Sequence, residues 1–266
     1  MGVFDGSWVN NYGSVLRLKS HGSFMFGSYQ SEVNHGGRFH VCGYGDAGII
    51  SKERGLGLAL SVLWRPFEGK NMIPSWHWVS GFAGQALLRE DGAPQLWLNH
   101  DLVVTVEQPQ HTECGSYLDK LVYEQADLGG ATSASIGNFR VSDHADAING
   151  VWFCAMPEVD LKIEVQLKDG ISGWLDGYLW FNGLKYVLQG FTDNALSPEQ
   201  ARLSRQGLSV CASLNDGRFM ALSGYFDRDQ DRLILLQQTS RGTHPRAAYA
   251  QTTARACYLQ RSRREE

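Results

Sequence analysis

Four short echoes recur in the same order in the two halves of this chain. Gly6-Ser7-Trp8 returns as Gly150-Val151-Trp152, and residues 39–44 (FHVCGY), with Asp46 after them, return as residues 186–191 (YVLQGF), with Asp193. Leu60-Ser61-Val62 returns as Leu208-Ser209-Val210, and Ser80-Gly81 as Ser223-Gly224. The offset is nearly constant at about 145 residues, the mark of an internal repeat. Whatever one copy forms, the chain forms twice. Each copy spans about 120 residues, the size of a small β-barrel or sandwich. The expected units are 1–125 and 149–266. Between them lies 126–148, where Leu128-Gly129-Gly130-Ala131-Thr132-Ser133-Ala134-Ser135 has the small, polar composition of a linker.

Within each copy the local pattern is that of strands. Residues 160–168 (DLKIEVQLK) alternate apolar and polar side chains, with Leu161, Ile163, Val165 and Leu167 on one side. That period of two is the period of a half-buried strand. Residues 14–19, 23–30, 56–64, 96–98 and 102–107 are further strand candidates. Turn signals such as His35-Gly36-Gly37, Lys168-Asp169-Gly170 and Asn215-Asp216-Gly217 separate them. Short strands joined this way make an antiparallel sandwich or a closed barrel. Only residues 197–206 look helical, with Ser197 as N-cap and Pro198 in the first turn.

Composition narrows the function. A net charge of −4 argues against a nucleic-acid partner, which requires a basic face to displace counterions. No apolar run approaches a membrane span, so no membrane partner is expected. The five cysteines are widely spaced without a CxxC pair, and the first residues carry no leader-like apolar stretch. Reduced thiols, a cytoplasmic location and no metal or other cofactor are the expectation.

The first copy resembles the avidin and streptavidin family along nearly its whole length. Gly6-Ser7-Trp8-Val9-Asn10-Asn11-Tyr12-Gly13-Ser14 is similar to the family's G-x-W-x-N-x-x-G-S signature, and Gly27-Ser28-Tyr29-Gln30-Ser31 to its strand bearing a pocket Tyr and Ser. The resemblance implies two tandem, all-β, antiparallel eight-stranded up-and-down barrels. It also implies a pocket for a small molecule in the first. Asn10, Ser14 and Tyr29 would surround a ligand carbonyl oxygen, with Ser31 and Asp119 at its flanking N–H groups. Trp64 and Trp97 would be aromatic walls, and Ser75, His77 and His35 would lie toward the ligand's tail. Family members assemble through barrel faces, so one chain would imitate a dimer and could itself form a homodimer.

Some positions depart from the family. Val79 stands where another wall Trp is expected, His77 replaces a small hydroxyl residue, and His111 aligns with the Trp that a neighbouring subunit lends as a lid. In the second copy the aligned residues are Cys154 for Asn10, Glu158 for Ser14, Leu175 for Tyr29, Gly177 for Ser31, Ala212 for Trp64 and Cys257 for Asp119. Its pocket is lost, leaving a structural partner, with Tyr249 as a lid candidate. Two functions follow. One is a binding protein for biotin or a biotin-like carbonyl or ureido compound. The other is an isomerase or cyclase using Tyr29, Asn10 and Ser14 as oxyanion donors and Asp119 or His77 as the acid or base.

Overall fold

The computed structural model describes residues 2–31, 37–68, 75–107, 113–128, 143–247 and 252–261. The candidates His35, His111 and Tyr249, and most of the expected linker, lie outside the described residues.

The chain forms two closed antiparallel barrels of eight strands each. The first comprises β1 (Gly6–Asn10), β2 (Val15–His21), β3 (Phe24–Gln30), β4 (Arg38–Gly45), β5 (Leu56–Glu68), β6 (Trp78–Leu88), β7 (Pro94–Val104) and β8 (Gly115–Ala126). The second comprises β9 (Gly150–Cys154), β10 (Leu161–Asp169), β11 (Trp174–Phe181), β12 (Leu184–Thr192), β13 (Arg205–Ser213), β14 (Arg218–Asp227), β15 (Arg232–Arg241) and β16 (Thr252–Arg261). Each strand pairs with the next, and the last closes on the first. Closure removes the unpaired edges of an open sheet.

Two expected elements differ. The helix at 197–206 shrinks to a single 3-10 turn, Gln200–Arg202, because Arg205 onward is drawn into the ladder with β14. The two strand candidates at 96–98 and 102–107 are one continuous strand, β7, whose intervening Asn99-His100-Asp101 pairs throughout with β6.

Each barrel is packed by its inward-facing side chains. Trp8 and Trp152 are both fully buried, and each indole N–H donates to the carbonyl four residues back, Phe4 at 2.8 Å and Ile148 at 3.0 Å. The alternation along β10 is complete, buried and half-buried in turn, as for a strand with one wet face. Strands β6 and β13 are buried along nearly every residue. Their second face is covered by the other barrel: β4 to β6 pack against β12 to β15.

The contact is close. Ser61 Oγ donates to Ser209 O at 2.6 Å, Ser209 Oγ to Ser80 O at 2.8 Å, and Ser240 Oγ to Leu58 O at 2.7 Å. Around these bonds lie Cys42, Leu63, Val79, Val103, Trp174 and Phe191. A Cβ on Gly57 would stand 2.9 Å from Arg241 Cα, and one on Gly81 2.5 Å from Ser223 Oγ. Gly57→Val is therefore expected to force the barrels apart and to cost about 1–3 kcal/mol in urea unfolding, the range for overpacking. An unchanged unfolding midpoint would contradict this packing.

Candidate functional site

The turn between β1 and β2 builds the first part of the site. Asn10 is buried, and its Oδ1 accepts the backbone N–H of Tyr12 at 3.1 Å and of Ser14 at 2.9 Å. With Oδ1 taken by these two N–H groups, Nδ2 is the amide's remaining donor, on the side of Tyr123. Tyr123, on β8 directly opposite Asn10, is wholly buried and donates to the Tyr29 hydroxyl at 3.5 Å. Burial, then the neighbouring Tyr29, holds the Tyr123 hydroxyl well above the usual phenol range, so it stays protonated. The Tyr29 and Tyr123 hydroxyls thus form a buried pair beside Asn10. Ser14 is buried beside the turn, and Ser31, just past β3, is buried as well.

An aromatic cluster adjoins this set. Tyr29 meets Trp64 edge-on at 5.3 Å and stacks near Phe82 at 6.3 Å. Trp64 stacks on Trp76 at 5.8 Å and meets Trp78 edge-on at 6.2 Å. Phe39 closes the group against Trp64 and Trp76.

A second polar chain crosses the barrel. Trp64 Nε1 donates to Ser80 Oγ at 2.8 Å, and Ser80 Oγ lies 2.9 Å from His100 Nε2. Ser80 is fully buried, and its hydroxyl bridges the indole and the imidazole. His100 is a neutral imidazole. Its ring lies flat on Phe82, centroids 4.4 Å apart. Burial lowers its pKa to about 4, against the opposing charge of Asp119.

The structure disperses other sequence candidates. Trp97 is on the outer face of β7, under the Lys120 ammonium at 4.4 Å and bonded to Gln95, while Leu96 and Leu98 point into the core. It is no wall of this barrel. Val79 also points outward, into the apolar contact with the second barrel, and Trp78 supplies the inward aromatic at that end of β6. Asp119 is exposed, four residues along β8 from Tyr123, with Tyr12 Oη at 3.4 Å and its own neighbour's N–H, on Lys120, at 2.7 Å. It stands at the exposed end of the same face of β8 as Leu121 and Tyr123, directly opposite His100. Ser75 and His77 turn to Asp193 of the second barrel, at 2.7 Å each. Tyr123, His100, Ser80, Trp76 and Trp78 were not singled out from sequence as pocket residues. For Tyr123 the available signal was its parity with Leu121 on a strand opposite Asn10.

Cross-strand pairing matches the two barrels position by position and closes consistently around both. Trp8 opposes Leu16 as Trp152 opposes Ile163; Leu16 opposes Tyr29 as Ile163 opposes Leu179. Asn10 opposes Tyr123 as Cys154 opposes Leu259, and Leu98 opposes Leu121 as Leu235 opposes Cys257. The counterparts of Asn10, Tyr29 and Tyr123 are therefore Cys154, Leu179 and Leu259. Those of Trp64, Ser80 and Phe82 are Leu214, Met220 and Leu222. This corrects the sequence alignment, which placed Glu158 at Ser14, Leu175 at Tyr29, Gly177 at Ser31, Ala212 at Trp64 and Cys257 at Asp119; the register puts Leu161, Leu179, Phe181, Leu214 and Arg255 there, and Cys257 matches Leu121. Two of the four echoes shift as well: Leu60-Ser61-Val62 matches Val210-Cys211-Ala212, and Ser80-Gly81 matches Met220-Ala221.

No protein-family model matches the chain, and no curated protein matches it significantly. Among solved structures it is similar to xenavidin, at 20% identity and a TM-score of 0.37 over 47% of this chain and 97% of that one. It is likewise similar to a biotin-binding protein from chicken, at 18% identity and a TM-score of 0.37 over the same shares. In strand number, order and closure, the chain is a tandem pair of eight-stranded up-and-down barrels.

His40, between the barrels, also has its pKa lowered to about 4, by burial and against the charge of Asp169. Both imidazoles are neutral when folded and titrate near 6.5 when unfolded. The unfolded state then binds more protons between these values. Stability is fully present above about pH 6.5 and declines as pH falls toward about 4. Urea unfolding from pH 8 to pH 4 is expected to show that decline, with the His100 ring resonances constant down to about pH 5.

Proposed function

We propose that the first barrel binds a neutral, carbonyl-bearing small molecule of the biotin or ureido type, and that the second barrel is its structural partner. The carrying observation is the contrast between the two interiors. At matched positions the second barrel packs Leu179, Leu214, Met220, Leu222 and Leu259, whereas the first holds Tyr29, Trp64, Ser80, Phe82 and Tyr123. The same architecture closes without these polar groups, so folding alone does not require them. Buried polar groups cost about 1–3 kcal/mol each when unpaired. Their retention beside an aromatic cluster is what a ligand site needs: a few placed donors on apolar walls.

The donor set favours an acceptor. The buried Tyr29 and Tyr123 hydroxyls offer a proton to a carbonyl oxygen. Asp119 stands at the solvent-exposed rim of the same inner face, opposite His100, so buried hydroxyl oxygens would meet a ligand N–H deeper in. Trp78 supplies an aromatic wall at the end of β6 where Val79 points outward, and His77 is directed away from the cluster. The isomerase or cyclase reading has less support, since His77 turns to Asp193 and Asp119 is exposed.

Isothermal titration with biotin, and with the bare cyclic urea as a second probe, tests the proposal. One ligand per chain is expected. Tyr29→Phe should weaken binding by about 10-fold, near the net worth of one hydrogen bond. Asp119→Ala should change affinity by less than about 3-fold, as for an exposed charge. Mass spectrometry should recover the probe unaltered. Absence of binding for both probes, or two ligands per chain, would overturn the reading.

A further inference from the structure

We propose that Asp193, a residue of the second barrel, positions the aromatic wall of the first barrel's site. The inference rests on the binding reading above and extends it by giving the pocketless barrel a role in ligand affinity.

Asp193 follows β12 and is buried against the first barrel. Its Oδ1 accepts the Ser75 hydroxyl at 2.7 Å, and its Oδ2 lies 2.7 Å from His77 Nδ1. Ser75 Oγ in turn accepts the His77 N–H at 3.0 Å, which closes a small ring of bonds around one residue, Trp76. Trp76 N–H donates to Trp64 O at 3.1 Å, and its ring stacks on Trp64 with only 12° between planes. Trp78 follows at once, edge-on to Trp76 at 5.2 Å. The backbone alternates through this stretch: Ser75 and His77 go to the second barrel, Trp76 and Trp78 to the cluster.

His77 adopts φ +58°, in the left-handed region that an L-residue with a ring side chain rarely occupies. Such a conformation persists only where surrounding contacts hold it. Here Asp193 holds the side chain, while Thr105 holds the carbonyl through its N–H at 3.1 Å and its hydroxyl at 2.8 Å. The turn that aims both tryptophans is thus fixed partly from the other barrel.

Asp193 is itself anchored. Arg65, the outward neighbour of Trp64 on β5, donates to Asp193 Oδ1 at 3.0 Å and to the second barrel's Ile171 O and Asn194 O at 2.9 and 2.7 Å. One carboxylate therefore connects both sides of the wall, at Arg65 beside Trp64 and at Ser75 and His77 flanking Trp76.

The test is a double-mutant cycle on the full chain, with Asp193→Asn, His77→Gln and the two together. Asp193→Asn alone leaves Arg65 buried beside a neutral amide and could unfold the chain; His77→Gln keeps the ion pair intact and is the folded control. The readouts are biotin affinity and, without ligand, near-ultraviolet circular dichroism of the stacked tryptophans. Each single variant is expected to weaken biotin by about 10-fold and to reduce the aromatic dichroism, with far-ultraviolet dichroism unchanged. The double variant should lose no more than either single one, because all three break the same link. Losses that multiply would show that His77 contacts ligand directly and overturn the proposal. So would an unchanged aromatic signal in folded His77→Gln. If biotin fails to bind the native protein, the dichroism arm still decides the positioning role separately from the ligand reading.

Discussion

Successive side chains of a strand point to opposite faces, and in β5 and β6 both faces are buried. That constraint governs the whole molecule. On β5, Leu60, Val62 and Trp64 fill the first barrel, while Ser61, Leu63 and Arg65 meet the second. On β6, Ser80 and Phe82 look inward, while Val79 and Gly81 look across the interface. A slip of one residue would exchange the two sets and place a guanidinium in the aromatic cluster. Register on these strands is therefore strongly specified, and the site and the interface are two sides of the same backbone.

The interface consequently does more than bury area. Its centre is made of small residues, Ala59, Gly81, Ala221 and serines, so the two sheets approach closely and the hydroxyls reach backbone carbonyls across the contact. Its edge holds the buried Arg65–Asp193 pair. Burial lowers the Arg65 pKa, while Asp193 opposes that effect; burial likewise raises Asp193, but His77, Arg65 and Ser75 outweigh it and hold its carboxyl below the usual range. A pair this far from water contributes only as far as its remaining bonds are satisfied; the loop carbonyls of Gly170, Ile171 and Asn194 take the two Nη groups, while the buried Nε is left without a partner. The pair fixes how the barrels meet more than how strongly they hold.

The second barrel shows what a barrel of this kind needs in order to fold. Leucine, isoleucine, valine and phenylalanine side chains, with Met220, Tyr186, Cys257 and one buried tryptophan, suffice. Set against that interior, the Tyr29, Tyr123 and Ser80 hydroxyls of the first barrel stand out as features that its closure did not demand. The comparison holds because both copies pair strand for strand, so each of these three has an apolar counterpart at a defined position, while His100 is matched by the buried Gln237.

Repeat, strand character and the polar donors Asn10, Ser14 and Tyr29 could be read in the sequence, because each depends on local signals: ordered echoes, a period of two, and a motif with fixed spacing. Where one face of a strand is wet, as in β10, the alternation of residue types also reveals which side chains are buried. In β6 and β7 it does not, since apolar residues occupy both faces. The sequence thus offered Trp97 and Val79 as wall positions, when parity puts both outside the barrel, and it passed over Trp78 and His100. It aligned Cys257 with Asp119, whereas pairing with neighbouring strands matches Cys257 to Leu121. The same limit applies to Ser75 and His77, whose partner, Asp193, is 118 and 116 residues away along the chain. Local chemistry determined that this protein would be two barrels, the first with a polar set in its interior. Only the tertiary pairing, which sets register and brings distant strands face to face, decided which side chains line that interior and which ones join the two barrels.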